Sequence, residues 1–207
     1  MKANTEPLLP DTFYHIYNRG INGEDIFKSE NSYSLFLEKY IFHIEPVART
    51  FAYCLLKNHF HLLIQIKSES DIRAGAEISF PGKTINSIPH FLSNQFAHLF
   101  NGYTQVINAT FDRTGALFES PFRRISVDNK SYFSQLVHYI HSNPEKHGLV
   151  QDFQDYPHSS YHSHLVNNPT RLIREEVLGW FGGIDGFQKI HRNRIDERML
   201  KDFIIEF

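Results

Sequence analysis

Hydrophobic and polar residues alternate along Phe13–Arg19 as a strand requires, and Asn18-Arg19-Gly20 closes it with turn chemistry. In residues 31–44 the period changes. Leu35, Phe36, Tyr40 and Ile41 recur at helical spacing, and Pro46 ends the helix. Residues 50–56 and 59–66 are two apolar runs separated by Lys57-Asn58, a two-residue connection that predicts an antiparallel hairpin. Residues 67–83 are polar and contain glycine, and read as a loop.

Residues 85–107 predict a long helix with Phe91, Phe96, Leu99 and Phe100 available for packing. Residues 117–127 predict a further strand whose Pro121 marks an edge or a bulge. Asp128 is placed to cap a helix running to about residue 142. Beyond Gly148 the chain turns irregular through Tyr156-Pro157, and residues 174–207 predict a short helical tail broken at Gly182-Gly183. Strand, helix, two strands, helix, strand, helix is the order of an α+β fold. The expected architecture is a ferredoxin-like (RRM-like) antiparallel sheet with packed helices, plus a short helical C-terminal tail.

Composition changes this picture little. A chain of 207 residues suffices for one substantial domain, or one domain with a small appendage. Its 19 phenylalanines predict a core dominated by aromatic packing. The single cysteine, Cys54, excludes an internal disulfide and a multi-cysteine zinc site. No apolar run reaches the length of a membrane span, and the N-terminal MKANTEPLLPDTF lacks a signal peptide's apolar stretch, so a cytoplasmic protein is expected. A formal net charge of -2 argues against a broadly basic nucleic-acid binder, but it leaves room for a local groove of Lys and Arg.

Two patterns carry candidate chemistry. On the second hairpin strand, period two sends Phe60, Leu62, Ile64 and Ile66 to one face and His59, His61 and Gln65 to the other, with Leu63 among them. Imidazoles at i and i+2 on a rigid strand can share one metal ion; equally, such residues decorate the polar face of a half-buried strand. In the helix after Asp128, Phe133, Leu136, Val137 and Ile140 form an apolar stripe, while Gln135, Tyr139 and Asn143 form a second stripe four apart. Residues i and i+4 are neighbours on a helix surface, so a phenol and an amide oxygen can approach the same ion. Most tyrosines are packing residues, and Tyr139 fits that role too. Pro144 predicts that Asn143 stands at the helix end.

Together these motifs resemble the single-tyrosine HUH transposases, and among them the relatives associated with repetitive extragenic palindromes. The histidine–hydrophobic–histidine signature is His59-Phe60-His61, and the tyrosine motif is Tyr139-Ile140-His141-Ser142-Asn143-Pro144, followed by Gly148-Leu149-Val150. Further similar blocks are Tyr14-His15-Ile16-Tyr17-Asn18-Arg19-Gly20, Gly115-Ala116-Leu117-Phe118-Glu119-Ser120 and Tyr156-Pro157-His158-Ser159-Ser160-Tyr161. They run in family order from about residue 13 to 165, with Lys57 standing where relatives often have proline.

The resemblance implies a catalytic domain over residues 1–165 and a helical extension over 166–207. It implies that Tyr139 attacks single-stranded or hairpin-flanked DNA, leaving a 5′-phosphotyrosine link and a 3′-hydroxyl. A divalent ion, Mg²⁺ or Mn²⁺, would be held by His59, His61 and Asn143, with Gln65 behind them. Arg19, Lys57, Arg123 and Arg124 are the expected DNA contacts, and a homodimer or a monomer the expected assembly. Three other classes compete: a non-catalytic hairpin-DNA-binding or regulatory relative, a His-x-His hydrolase, and an RNA-binding module with stacking aromatics on an open sheet face.

Overall fold

A computed structural model describes residues 6–129 and 132–193. Four strands, β1 (Phe13–Arg19), β2 (Ala48–Leu56), β3 (His59–Ile66) and β4 (Arg123–Ser126), form one antiparallel sheet in the order β2-β3-β1-β4. Lys57-Asn58 makes the β2–β3 hairpin. Gly20 ends β1 where the chain passes so close to itself that a Cβ would lie 1.9 Å from the Glu24 carbonyl oxygen. The α+β class and antiparallel sheet expected from the periodicity are both present.

One face of the sheet carries Tyr14, Ile16, Phe60, Leu62, Ile64 and Ile66. It is covered by α1 (Glu30–His43) and α3 (Ile88–Thr110) through Phe36, Tyr40, Phe96 and Leu99. The opposite face carries Phe51, Cys54 and Leu63 and is covered by α4 (Phe133–Lys146) through Leu136, Val137 and Ile140. Behind α4 lie α5 (Tyr161–Leu165), α6 (Arg174–Phe181) and α7 (Ile184–His191), which add Tyr161, Val177, Phe181 and Phe187 to this second core. Gly182 takes φ +76° where α6 ends, a left-handed conformation suited to glycine.

Several boundaries differ from expectation. Residues 67–83 are not all loop, because Glu69–Ser79 forms a helix, α2, capped by Ser68 Oγ accepting from Asp71 N–H. Gly75 lies inside this helix. Its role is close approach, since a Cβ there would lie 2.5 Å from the Pro46 carbonyl oxygen. The strand expected over 117–127 is confined to Arg123–Ser126; upstream of Pro121 only a single bridge, Gly20 to Phe118, continues the pairing.

Asp128 is not the cap of α4, whose N-cap is Tyr132. Nor does α4 end near residue 142: it runs through Pro144 to Lys146, so Asn143 lies inside the helix. Proline removes only its own N–H bond, and the helical pattern resumes when His147 N–H donates to the Asn143 carbonyl at 2.9 Å. The tail's break at Gly182-Gly183 is observed, while residues 194–207 of the expected tail lie outside the described residues.

Candidate functional site

The site lies between α4 and the sheet, where β1 and β3 run side by side. In their register Tyr17 is opposite His61 and Arg19 is opposite His59. The period-two reading of β3 is correct about sides, but the histidine face is not a solvated polar face. His59 is 2 % and His61 0 % exposed, because α4 lies over them. The open, aromatic-bearing sheet of an RNA-binding module is therefore absent here.

Each histidine commits Nδ1 to a neighbour. His59 Nδ1 is 2.7 Å from Asn58 Oδ1. An amide oxygen can only accept, so His59 donates from Nδ1 and, as a neutral ring, presents its lone pair at Nε2. His61 Nδ1 is 3.0 Å from His15 Nε2. If His61 is the donor there, its Nε2 too carries the lone pair, the state a metal ligand needs. Burial, aided by the charge of His147 and Arg19, pushes the His59 pKa down to about 3. Burial, then His15, His59, His147 and Lys146, holds His61 well below the usual histidine range. Both rings are neutral near neutral pH.

Tyr139 is 2 % exposed and packs edge-on against this pair, with ring centroids 5.7 Å from His61 and 6.2 Å from His15. Lys146 Nζ lies 5.6 Å from the Tyr139 ring centroid, a cation over its face. One turn on, Asn143 Nδ2–H donates to the Tyr139 carbonyl at 2.8 Å. Its Oδ1 is buried with no hydrogen-bond partner among the described residues. A buried acceptor left unsatisfied in this way costs free energy, unless a cation or ligand meets it. Two neutral imidazoles and this amide oxygen fit a divalent cation in donor type. Among the described residues no group of three or more His, Cys, Asp or Glu is arranged to hold a metal, so an ion here depends on the amide.

The other expected residues are divided. Arg19 Nε bonds Glu119 Oε1 at 2.6 Å, and Arg123 reaches the second oxygen of Glu119 at 3.5 Å. Arg123 also lies beside Tyr17, whose pKa burial raises and Arg123 partly lowers. Arg124 points to the opposite face, against the Phe122 ring at 4.7 Å and Ser93 Oγ at 3.3 Å. Lys57 is exposed in the hairpin turn. Gln65 is four residues beyond His61, roughly 13 Å along the strand, and it bonds Arg49 and the Asp11 carbonyl. It is not at the site. Sequence reasoning missed three neighbours: His15, Tyr17 and His147, whose ring lies 4.8 Å from His59. Alternation along β1 puts His15, Tyr17 and Arg19 on one face, which was the available signal; His147 gave none.

A strand bearing His-hydrophobic-His, faced by a helix bearing tyrosine, on an antiparallel α+β sheet, bears out the resemblance to single-tyrosine HUH transposases. The more particular similarity is to REP-associated tyrosine transposases. The chain is 27% identical over 115 residues to a Haemophilus influenzae protein named "Putative REP-associated tyrosine transposase", an alignment covering 55% of this chain and 58% of that one. The matched part thus spans under two thirds of that curated relative's length. In fold it is similar to the solved "Structure of the REP associates tyrosine transposase bound to a REP hairpin". The TM-score is 0.58 at 16% identity, over 82% of this chain and 88% of the other. No family model matches. Among the described residues, no helix is long and apolar enough to cross a membrane.

Proposed function

We propose that this protein cuts and rejoins single-stranded, hairpin-flanked DNA, with Tyr139 as nucleophile. The observation that carries this reading is the packing of Tyr139 against His61 at 5.7 Å, with the unsatisfied Asn143 Oδ1 one turn away on the same helix. The Tyr139 oxygen attacks phosphorus. A tyrosine–phosphate bond forms and the bond from phosphorus to the 3′-oxygen breaks; the phenol loses its proton and the departing 3′-oxygen gains one, leaving a 3′-hydroxyl. A 3′-hydroxyl from a second strand reverses the step and releases Tyr139. The phosphodiester energy is conserved in the covalent link, so no nucleotide is consumed.

His59, His61 and Asn143 would hold a divalent ion, Mg²⁺ or Mn²⁺, which when bound polarises the scissile phosphate and offsets charge developing in the transition state. The chain supplies the rest. Asn58 and His15 orient the two imidazoles, and α4 covers the site so that bulk water does not compete with the 3′-hydroxyl. Arg19, Arg123 and Lys57 would approach the DNA backbone. Arg124 faces α3 and would contribute less. Because Tyr139 packs against the His61 of its own chain, a single protomer carries all the groups needed.

The test is to incubate the protein with hairpin DNA bearing a single-stranded flank and Mn²⁺ or Mg²⁺, then map any protein–DNA adduct by mass spectrometry. A 5′-phosphate on Tyr139 is the expected product. Tight hairpin binding without any adduct would favour the non-catalytic relative instead.

A further inference from the structure

On the far side of α4 from His61 lies a second set of buried polar groups that the chemistry above does not use. His141 follows Tyr139 by two positions, about 200° round a helix of 3.6 residues per turn. It is fully buried, and its two ring nitrogens are both engaged. Nδ1 is 2.9 Å from His191 Nε2, on α7. Nε2 is 2.7 Å from Ser160 Oγ. The series continues at each end: His191 Nδ1 lies 2.8 Å from the Phe187 carbonyl oxygen, and Ser160 Oγ accepts from the Tyr53 N–H of β2 at 2.9 Å.

The protons in this series can be placed. A carbonyl oxygen only accepts, so His191 donates from Nδ1 and, as a neutral ring, accepts at Nε2. His141 must then donate from Nδ1 and accept at Nε2, and the Ser160 hydroxyl supplies that proton. One polarity satisfies every group from β2 through α4 to α7 with no charge buried. Apolar contacts such as those of Leu136, Val137 and Ile140 hold α4 against the sheet, but they are non-directional and tolerate small slides. Hydrogen bonds at fixed ring positions do not.

We infer that His191 is a positioning residue for Tyr139: acting through His141, it fixes the rotation and axial placement of α4. The segment carrying α7 is thereby part of the machinery that aims the tyrosine, although it lies outside the blocks of family resemblance. The inference rests on the reading of Tyr139 as nucleophile for its kinetic consequence, but not for its structural one. Misplacing a reacting group by about 1 Å can cost on the order of a hundredfold in rate.

The test uses the full chain. His191→Phe keeps a ring among Phe187, Phe181 and Tyr161 but loses both hydrogen bonds. His191→Gln places an amide where Nε2 stood and can still accept from His141. Two readouts are taken well below each variant's melting temperature. One is the single-turnover rate of adduct formation. The other is the NMR signal of the Tyr139 ring in the DNA-free protein, assigned by its loss in Tyr139→Phe. The expected result is a rate about tenfold to a hundredfold lower in His191→Phe, a displaced Tyr139 signal, and recovery of both in His191→Gln. Should His191→Phe not fold, His191→Asn, which keeps only the Phe187 side of the pair, takes its place. A wild-type rate and an unmoved Tyr139 signal in the folded variant would overturn the inference. If wild-type protein forms no adduct but the Tyr139 signal moves and recovers as stated, positioning stands and the nucleophile reading falls.

Discussion

His15 Nε2 and His61 Nδ1 meet at 3.0 Å across the β1–β3 pair, with their rings stacked at 24°. His61 can bind an ion through Nε2 only while Nδ1 carries the proton, and the His15 ring is placed to accept that proton's hydrogen bond. His15→Phe keeps the ring and removes the acceptor. Loss of such a partner typically weakens metal affinity about 10- to 100-fold. Calorimetric titration with Mn²⁺ should show that drop, with hairpin affinity in the absence of metal near wild type. Equal Mn²⁺ affinity in both proteins would remove His15 from the site.

Glu119 neutralises two of the arginines expected to meet DNA. Its carboxylate takes Arg19 at 2.6 Å and Arg123 at 3.5 Å. These ion pairs are partly exposed and individually worth little to stability. Glu119→Gln should therefore leave the melting temperature almost unchanged while raising low-salt affinity for hairpin DNA several-fold and steepening its salt dependence. Fluorescence anisotropy across a salt series measures both. Weaker binding would mean that Glu119 aims the arginines rather than competing for them.

The buried histidines make stability depend on pH. Burial leads the causes that hold His191 and His59 near pKa 3, and His138 and His164 near 4. Unfolded, each returns to about 6.5. Folded pKa values below unfolded ones mean that the unfolded chain binds more protons between about pH 4 and 6.5. Stability is thus full above that window and is lost as pH falls through it. Each histidine contributes a slope of about 1.4 kcal/mol per pH unit while it differs in protonation. Urea unfolding at pH 7.5, 6 and 5 should show a steady loss, and His164→Gln should flatten the curve by about one proton.

The second core depends on the C-terminal helices. Phe187 is fully buried; its ring packs tilted against His191 at 4.1 Å and edge-on against Phe181 at 4.9 Å. Phe187→Ala should cost about 3–5 kcal/mol, as expected for a large aromatic removed from a core. A change below 1 kcal/mol in urea unfolding would mean that α7 is only loosely attached.

The strands were legible because side-chain alternation is a local signal. Phe13–Arg19 and His59–Ile66 occur where the pattern placed them, and the Lys57-Asn58 turn joins β2 to β3 as expected. The Tyr139–Asn143 pairing was legible for the same reason, since i and i+4 adjacency needs no tertiary information. What covers a sheet face is tertiary. Period two could separate His59 and His61 from Phe60, but it could not reveal that α4 buries the histidine side as well. Helix α2 escaped notice because Gly75, a helix breaker by propensity, is used for contact with Pro46. His15 and His147 reach the site only through pairing and through the length of α4 beyond Pro144.

The Tyr139 hydroxyl is the group proposed to attack DNA. Tyr139→Phe keeps the ring, and with it the packing against His61 and His15, and removes the one atom that would bond to phosphorus. Tyr132→Phe is the control, since Tyr132 lies seven residues earlier, roughly 10 Å along the helix direction. Both variants and the wild type are incubated with hairpin DNA and Mn²⁺, and the covalent adduct is quantified on a denaturing gel. Adduct is expected in the wild type and in Tyr132→Phe and none in Tyr139→Phe, with all three binding the hairpin alike. Undiminished adduct formation by Tyr139→Phe would contradict the proposal.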